Sequence, residues 1–219
     1  MPMELCTSDG TPTGAILGFT NMLYKVQDEM NPDCTVITFD PEGKTFRHEY
    51  YSEYKSGRKK LNEIDRVSFK TQLPLLKDLL RFSGYAVLTR PGFEADDLAA
   101  SFTKIAHSES HKVITLSSDK DWLQFLDTNI TMLRLVGRGI TEAKAYTVEN
   151  FIAEYGFKPS SLVDYLAIAG DTTDNIKGVE GIGEKGAKPL LKQYSTIEKI
   201  FESLDKIPTR QKIYWLLRV

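Results

Sequence analysis

Three short runs with strand character, each closing on a polar turn or the start of a helical pattern, set the main constraint on what this chain can fold into. Cys34-Thr-Val-Ile-Thr-Phe39 delivers Asp40 to the turn Pro41-Glu-Gly43, Tyr85–Leu88 precedes the turn before Glu94, and Lys112-Val-Ile-Thr-Leu-Ser117 leads to Asp119 and Asp121. Apolar, β-branched runs of this length bounded by turn residues read as buried strands. Before and between them, apolar residues recur at helical spacing: Thr13 to Val26 (Ile16, Leu17, Phe19, Met22, Leu23), Val67 to Phe82 with a break expected before Pro74, and Glu94 to His107. Such alternation predicts an α/β fold, a parallel sheet with helices on both faces. A helix over 120–127, a last strand over Asn129–Leu135 and a polar turn at Gly137 and Gly139 complete this part.

Carboxylates stand where the pattern turns helical: Glu94, Asp96 and Asp97; Asp119 and Asp121; and, further on, Asp171 and Asp174. Asp119 and Asp121 follow a strand, the end at which open parallel sheets place their ligands. Taken alone, Asp119 or Asp96 reads equally well as the cap of the next helix. Taken together, crowded like charges raise one another's proton affinity, so the set is costly unless cations neutralise it. Hard oxygen donors in this number suit Mg²⁺ or Mn²⁺ rather than zinc.

With 219 residues and 41% hydrophobic content, the chain can bury one α/β core and a smaller appendage. Two cysteines, Cys6 and Cys34, make neither a disulfide framework nor a zinc site, so a reducing cytoplasmic setting is the expectation. The amino terminus lacks a signal-like pattern and no stretch is long and apolar enough to span a membrane, so no membrane partner is expected. Net charge is −2, yet its distribution is uneven. Lys44, Arg47, Lys55, Arg58, Lys59 and Lys60 interleave with Phe46, Tyr50, Tyr51 and Tyr54, against only Glu49 and Glu53. Cations there can neutralise phosphates and rings can stack on unpaired bases. A basic stretch by itself is usually a solvated face; beside a carboxylate cleft it favours nucleic acid.

Beyond residue 146 the strand-like runs give way to helical signals. Thr147 reads as a cap, Gly156 as a stop, Ser160 as another cap, and Ser195-Thr-Ile-Glu198 as a capping box. Gly178-Val-Glu-Gly-Ile-Gly183 is a glycine-punctuated turn between helices. It could be an ordinary corner, but Gly178, Gly181 and Gly183 with Lys185, Lys188 and Lys192 favour close approach of a phosphate. The expected division is 1–146 and 147–219.

Four stretches, Gly43-Lys-Thr-Phe-Arg-His-Glu49 with Tyr54-Lys-Ser-Gly-Arg58, Gly92-Phe-Glu-Ala-Asp-Asp97, Ser118-Asp-Lys-Asp121 and Gly170-Asp-Thr-Thr-Asp-Asn-Ile-Lys-Gly-Val-Glu-Gly-Ile-Gly-Glu-Lys185, together resemble the 5′ nuclease domain of bacterial DNA polymerase I and its flap endonuclease and bacteriophage relatives. The resemblance implies a PIN-like α/β domain with an arch over about 44–75, then a helix-three-turn-helix module. It implies a 5′-3′ exonuclease or flap endonuclease of replication and repair, acting on DNA with single-strand/duplex junctions (5′ flaps, nicks, overhangs). Two or more Mg²⁺ or Mn²⁺ ions are implied, with K⁺ at the glycine turn, a DNA polymerase as partner, and a bacterial nucleoid or phage-infected host cytoplasm as location. By the same resemblance Asp40, Glu94, Asp96, Asp97, Asp119, Asp121, Asp171 and Asp174 are metal ligands. Lys55 and Arg58 are the catalytic cations, and Arg47, Tyr54, Lys59 and Lys60 meet DNA, as do Gly178, Gly181, Gly183, Lys185, Lys188 and Lys192.

The family opens with a strand ending in Asp-Gly and a helix with a Tyr-Arg pair, and this sequence begins after that point, at the segment Thr7–Gly14. One inner ligand and one strand fewer are therefore expected, with Asp9 as the nearest acid in sequence to substitute. The alternative expectation is a flap- or nick-binding module with little or no catalysis. Two further differences are Gly186, where the family has Thr, and Pro189 inside the following helix.

Overall fold

A computed structural model describes residues 5–58, 62–135 and 143–207. These fall into two compact units. The first holds the described residues of 5–49 and 62–102 together with Ala143; the second holds Tyr50–Arg58, Thr103–Leu135 and 144–207.

In the first unit, helix α1 (Gly14–Met30) leads to strand β1 (Val36–Thr38), the single turn α2 (Arg47–Tyr50, whose last residue belongs to the second unit), the long helix α3 (Glu63–Phe82) and strand β2 (Ala86–Leu88). β1 and β2 pair in parallel, Val36 opposite Ala86 and Thr38 opposite Leu88. Parallel pairing requires the long crossover that α3 supplies. Leu23, Ile37, Leu76 and Leu80 are buried together, with Ile16, Phe19, Phe39, Tyr85 and Val87 packed around them. Gln72, 2% exposed, ties α3 to the start of α1: its Oε1 accepts the amide of Ala15 at 2.7 Å. That bond satisfies a helix-start amide that Thr13 leaves uncapped by its side chain.

The expected break before Pro74 is not there. Asn62 caps α3, accepting the amide of Asp65, and the helix runs through Pro74 to Phe82. Interior proline costs about 3 kcal/mol, and burial of Leu76 and Leu80 offsets it at roughly 1.5–3 kcal/mol each. Pro189 is accommodated likewise inside helix α7 (Glu184–Tyr194), flanked by buried Ala187, Leu190 and Leu191.

Helix α4 (Ala95–Ser108) precedes strands β3 (Val113–Ser117) and β4 (Ile130–Leu135), which pair in parallel with Val113 opposite Ile130. A strand β5 (Ala143–Tyr146), not expected from the sequence, completes the order β3-β4-β5. Among the described residues the strands thus form two small sheets where one was expected. Residues 120–127, expected as α-helix, form a 3₁₀ turn over Lys120–Phe125 that buries Trp122 and Leu123. Short length favours the tighter winding, since 3₁₀ turns serve as connectors.

Helices α5 (Val148–Tyr155), α6 (Leu162–Ala169), α7 and α8 (Ile197–Glu202) follow. Thr147 and Asn150 form a reciprocal capping box on α5, and Gly156 ends it at φ 83°. Ser160 is no cap, because it lies within a 3₁₀ turn over Pro159–Ser161. The box expected at Ser195 does not form: Thr196 alone caps α8, accepting the amide of Lys199, while Ser195 adopts φ 70° and its carbonyl accepts the Ser161 hydroxyl at 2.7 Å. No helix among the described residues is long and apolar enough to cross a membrane.

Candidate metal and nucleic-acid site

In the first unit the acids gather at the start of α4. Asp40, just past β1, accepts the amide of Ala95 at 2.8 Å through Oδ1. Asp97, three residues inside the turn, reaches back to accept the amide of Glu94 at 2.8 Å. Both carboxylates thereby satisfy orphan helix-start amides and sit at the positive end of the helix dipole. Arg47 then grips Asp97 with both guanidinium nitrogens, at 2.8 Å to each oxygen. Its Nη1 lies 3.8 Å from Glu94, which is only 8% exposed. A bidentate fork of this kind is among the stronger charge-assisted bonds. Arg47 also lies 4.7 Å over the Phe46 ring, which packs on Phe93 with centroids 5.7 Å apart. Arg47, expected to meet DNA, therefore serves here as counterion to two acids. Asp96 is exposed on the first turn of α4. Asp9 accepts from the Thr7 hydroxyl and, at 3.2 Å, from the Thr11 amide.

The second unit assembles the other acids. Asp119 caps the 3₁₀ turn by accepting the amide of Asp121 at 3.0 Å. Asp171, 6% exposed, accepts the amide of Thr173 at 2.8 Å and pairs with Lys120 at 3.3 Å. Burial pushes its carboxyl up, but the Thr173 bond and the Lys120 charge outweigh burial and leave it below the ordinary range. Asp121 is different. Its Oδ1 is buried and has no hydrogen-bond partner among the described residues. Burial first, then the charges of Asp119 and Asp171, push its carboxyl up to about 6. Asp174 pairs with Arg58 at 2.7 Å.

An unsatisfied buried carboxylate oxygen among acids is the state expected of a site that a cation completes. The donor set is all oxygen, matching hard divalent ions. Among the described residues no three of these side chains are already drawn into a metal cage.

The segment Tyr50–Arg58 lies against the loop 171–176. Lys55, at φ 58°, donates its amide to the Asp174 carbonyl at 3.2 Å, and its Nζ lies 4.8 Å over the Tyr54 ring. Tyr54 is 8% exposed, so it is not the open stacking face that its neighbours suggested. A tyrosine ring offers more to the fold as a packed body under a cation than as a face in water. Tyr50, 87% exposed, is the displayed ring. Lys59 and Lys60 lie outside the described residues, as do Gly137 and Gly139.

The glycines differ among themselves. A Cβ on Gly178 would stand 2.4 Å from the Gly170 amide nitrogen and 2.4 Å from the Ile168 carbonyl oxygen, so Gly178 is demanded by backbone packing inside the turn. Its partner Gly170, at φ 84°, was not singled out by sequence reasoning. Gly181 adopts φ 77°. Gly183 caps α7 and has open space where a Cβ would be, leaving room for a ligand at the helix start. These residues line an open recess of about 630 Å³ with Thr172, Asn175 and Lys177. Lys185 and Lys192 are exposed; Lys188 is half-buried, its Nζ 4.8 Å over the Tyr155 ring.

Residues 1–156 match the 5′-3′ exonuclease N-terminal resolvase-like domain, and residues 157–216 its C-terminal SAM fold. The chain is 41% identical over 203 residues to the thermostable DNA polymerase I of Thermus thermophilus, covering 93% of this chain but 23% of that protein. It is 36% identical over 202 residues to the 5′-3′ exonuclease of Aquifex aeolicus, covering 92% of this chain and 67% of that protein. Among solved structures, a bacteriophage T5 5′-exonuclease with bound divalent zinc ions superposes with a TM-score of 0.75 at 23% identity, over 90% of this chain and 74% of that one. The T5 D15 flap endonuclease in a pseudo-enzyme–product complex with DNA and metal ions gives 0.75 at 24% identity, over 92% and 75%. The fold is therefore the PIN-like nuclease fold with a SAM-like helical part.

Proposed function

We propose that this chain, which belongs to the 5′-3′ exonuclease family, hydrolyses DNA phosphodiester bonds at single-strand/duplex junctions such as 5′ flaps, nicks and overhangs. The observation that carries this reading is the buried Oδ1 of Asp121, without a partner among the described residues and set among Asp119, Asp171 and Asp174. Burying a carboxylate without a partner is costly, and a site retains such a cost where a cation repays it in function. Asp119, Asp121, Asp171 and Asp174 would hold divalent ions, Mg²⁺ or Mn²⁺, and Asp40, Glu94, Asp96 and Asp97 would serve the same purpose in the first unit. Bound there, such ions make water a nucleophile at neutral pH and neutralise charge on phosphoryl oxygens.

The chain's own residues supply the rest. Lys55 and Arg58 bring positive charge to the scissile phosphate, Arg58 without any change of protonation state. Tyr50 offers its exposed ring to an unpaired base. Gly183 and the amides opening α7, with Lys185, Lys188 and Lys192, take duplex phosphates, and carbonyls of the 178–183 turn suit K⁺. A DNA polymerase is the natural partner, since a nuclease that clears 5′ ends leaves the substrate a polymerase extends.

The test is cleavage of 5′-flap, nicked and blunt DNA in Mg²⁺ against EDTA, with binding measured in Ca²⁺. Cleavage confined to junction substrates, dependent on Mg²⁺ and lost in Asp121→Asn, supports the reading. Junction binding without cleavage would replace it with a flap-recognition module.

A further inference from the structure

The loop that carries Asp171 and Asp174 also holds down the segment that carries Lys55 and Arg58, and one residue takes part in most of the uncharged bonds. Asn175 stands at φ 60°. Its Nδ2 donates to the Glu53 carbonyl at 3.0 Å and to the Ser56 hydroxyl oxygen at 3.1 Å. Its own carbonyl accepts the Tyr51 hydroxyl at 3.1 Å. The loop is itself closed by paired backbone bonds between Asp171 and Ile176, at 2.8 and 2.7 Å, which give Asn175 a fixed base.

Arg58 Nε donates to the Thr173 carbonyl at 3.5 Å, and further ties run through Asp174. Its carbonyl accepts the Lys55 amide, and its carboxylate holds Arg58 at 2.7 Å. An ion pair of that kind competes directly with a divalent cation for the same oxygen. Amide-to-carbonyl and amide-to-hydroxyl bonds do not, because no charge is involved. We propose that Asn175 is a positioning residue that latches the segment Tyr50–Arg58 onto the acidic loop, so that Lys55 and Arg58 keep their places when Asp174 turns from Arg58 to a cation. The purpose of the latch rests on the nuclease reading; the latch itself does not.

The residue type follows from the geometry. A left-handed backbone is tolerated by Asn, Asp and Gly, but only the amide can donate to the Glu53 carbonyl. Asn175→Gly keeps the backbone and removes the donors, while Asn175→Asp keeps the shape and places an acceptor against an acceptor.

Lys55 and Arg58 are themselves tryptic sites, which gives a readout independent of cleavage activity. The full chain in Ca²⁺ without DNA is digested with trypsin as wild type, Asn175→Gly, Asn175→Asp, Ser56→Ala and the Asn175→Gly/Ser56→Ala double variant. Expected is an increase of about tenfold in cutting after Lys55 and Arg58 in both Asn175 variants, a smaller one in Ser56→Ala, and none further in the double variant. Cutting at other lysines stays at the wild-type rate. In the nuclease assay KM for a 5′-overhang substrate rises while blunt-duplex affinity is unchanged. Unaltered cutting at Lys55 and Arg58, or a uniform rise at all sites, overturns the latch. If the wild type does not cut DNA at all, the nuclease reading fails while the tryptic comparison still decides the latch.

Discussion

Asp97 and Asp121 are both carboxylates set just inside a helical turn, yet their surroundings are opposite. Asp97 has Arg47 on both oxygens and the Glu94 amide on one of them. Asp121 has a buried oxygen with no partner among the described residues, and Asp119 and Asp171 nearby raise its proton affinity further. The first arrangement already carries a counterion of its own: charge, hydrogen bonds and helix dipole agree. The second remains electrostatically unfinished. An acid in the first setting is held in place by the protein's own cation, whereas an acid in the second gains most when an external cation arrives. Of the two, Asp121 is the side chain whose protonation would change more on meeting a cation.

The largest expected effect breaks the second arrangement. Asp121→Asn removes one negative charge without changing shape, and cleavage of 5′-flap DNA in Mg²⁺ should fall by about 10²–10³-fold. Binding to the same flap in Ca²⁺ should persist or tighten, since a negative charge near phosphate is gone. Loss of binding alongside cleavage would mean that Asp121 supports the fold instead.

Breaking the first arrangement has a stability cost. Arg47→Ala removes the fork on Asp97 and the guanidinium charge beside Glu94, and loss of charged hydrogen bonds of this kind costs about 1.5–3 kcal/mol. Thermal unfolding should show a Tm lower by several degrees, about 2–4 °C for each kcal/mol at this size. Added Mg²⁺ should recover more of that loss in the variant than it adds to the wild type, because it can replace the lost guanidinium charge.

A smaller effect sharpens the contrast through pH. Asp121 is raised in the folded state, so the folded protein binds more protons than the unfolded chain between the ordinary value of 3.8 and about 6. Its contribution to stability is therefore present at low pH and lost as pH rises through that window. Metal-free protein should lose Tm from this source between about pH 4 and pH 6, and Asp121→Asn should flatten that part of the profile. Asp171 runs the other way: its lowered carboxyl contributes stability above the ordinary range that is lost on acidification.

The smallest effect concerns the helical part. Lys188→Ala should leave flap cleavage chemistry intact and reduce the slope of log affinity against log salt by about 0.7–0.9, one phosphate contact. A slope equal to wild type would confine Lys188 to its contact with the Tyr155 ring.

Much of this was legible in the sequence where the determining chemistry is local. Thr147 and Gly156 announce a helix start and stop by their own side chains, and the structure has both. The β-branched runs became β1 and β3, and Glu94, Asp96, Asp97, Asp119 and Asp121 stand at helical turns as expected, whereas Asp171 and Asp174 lie in the loop that follows α6. What was not legible depends on residues far apart in sequence. Arg47 and Asp97 are separated by 50 positions, and nothing near either one signals the fork between them. Gly178 looks like a phosphate glycine until the Gly170 backbone is seen against it. Tyr54 reads as a stacking ring because sequence shows its basic neighbours but not its burial. Asn175 drew no attention because its partners, Glu53 and Ser56, lie more than a hundred residues upstream.

Uptake of a divalent cation by the group around Asp121 is measured by calorimetric titration with Mn²⁺ at pH 6 in two buffers of different ionisation enthalpy. With Asp121 half protonated near that pH, binding to the wild type should release about half a proton per ion at this group. Asp121→Asn should bind at least about tenfold more weakly and release none from it. Wild-type protein that takes up no Mn²⁺, or an Asp121→Asn variant that matches wild type in affinity and proton release, would contradict the account.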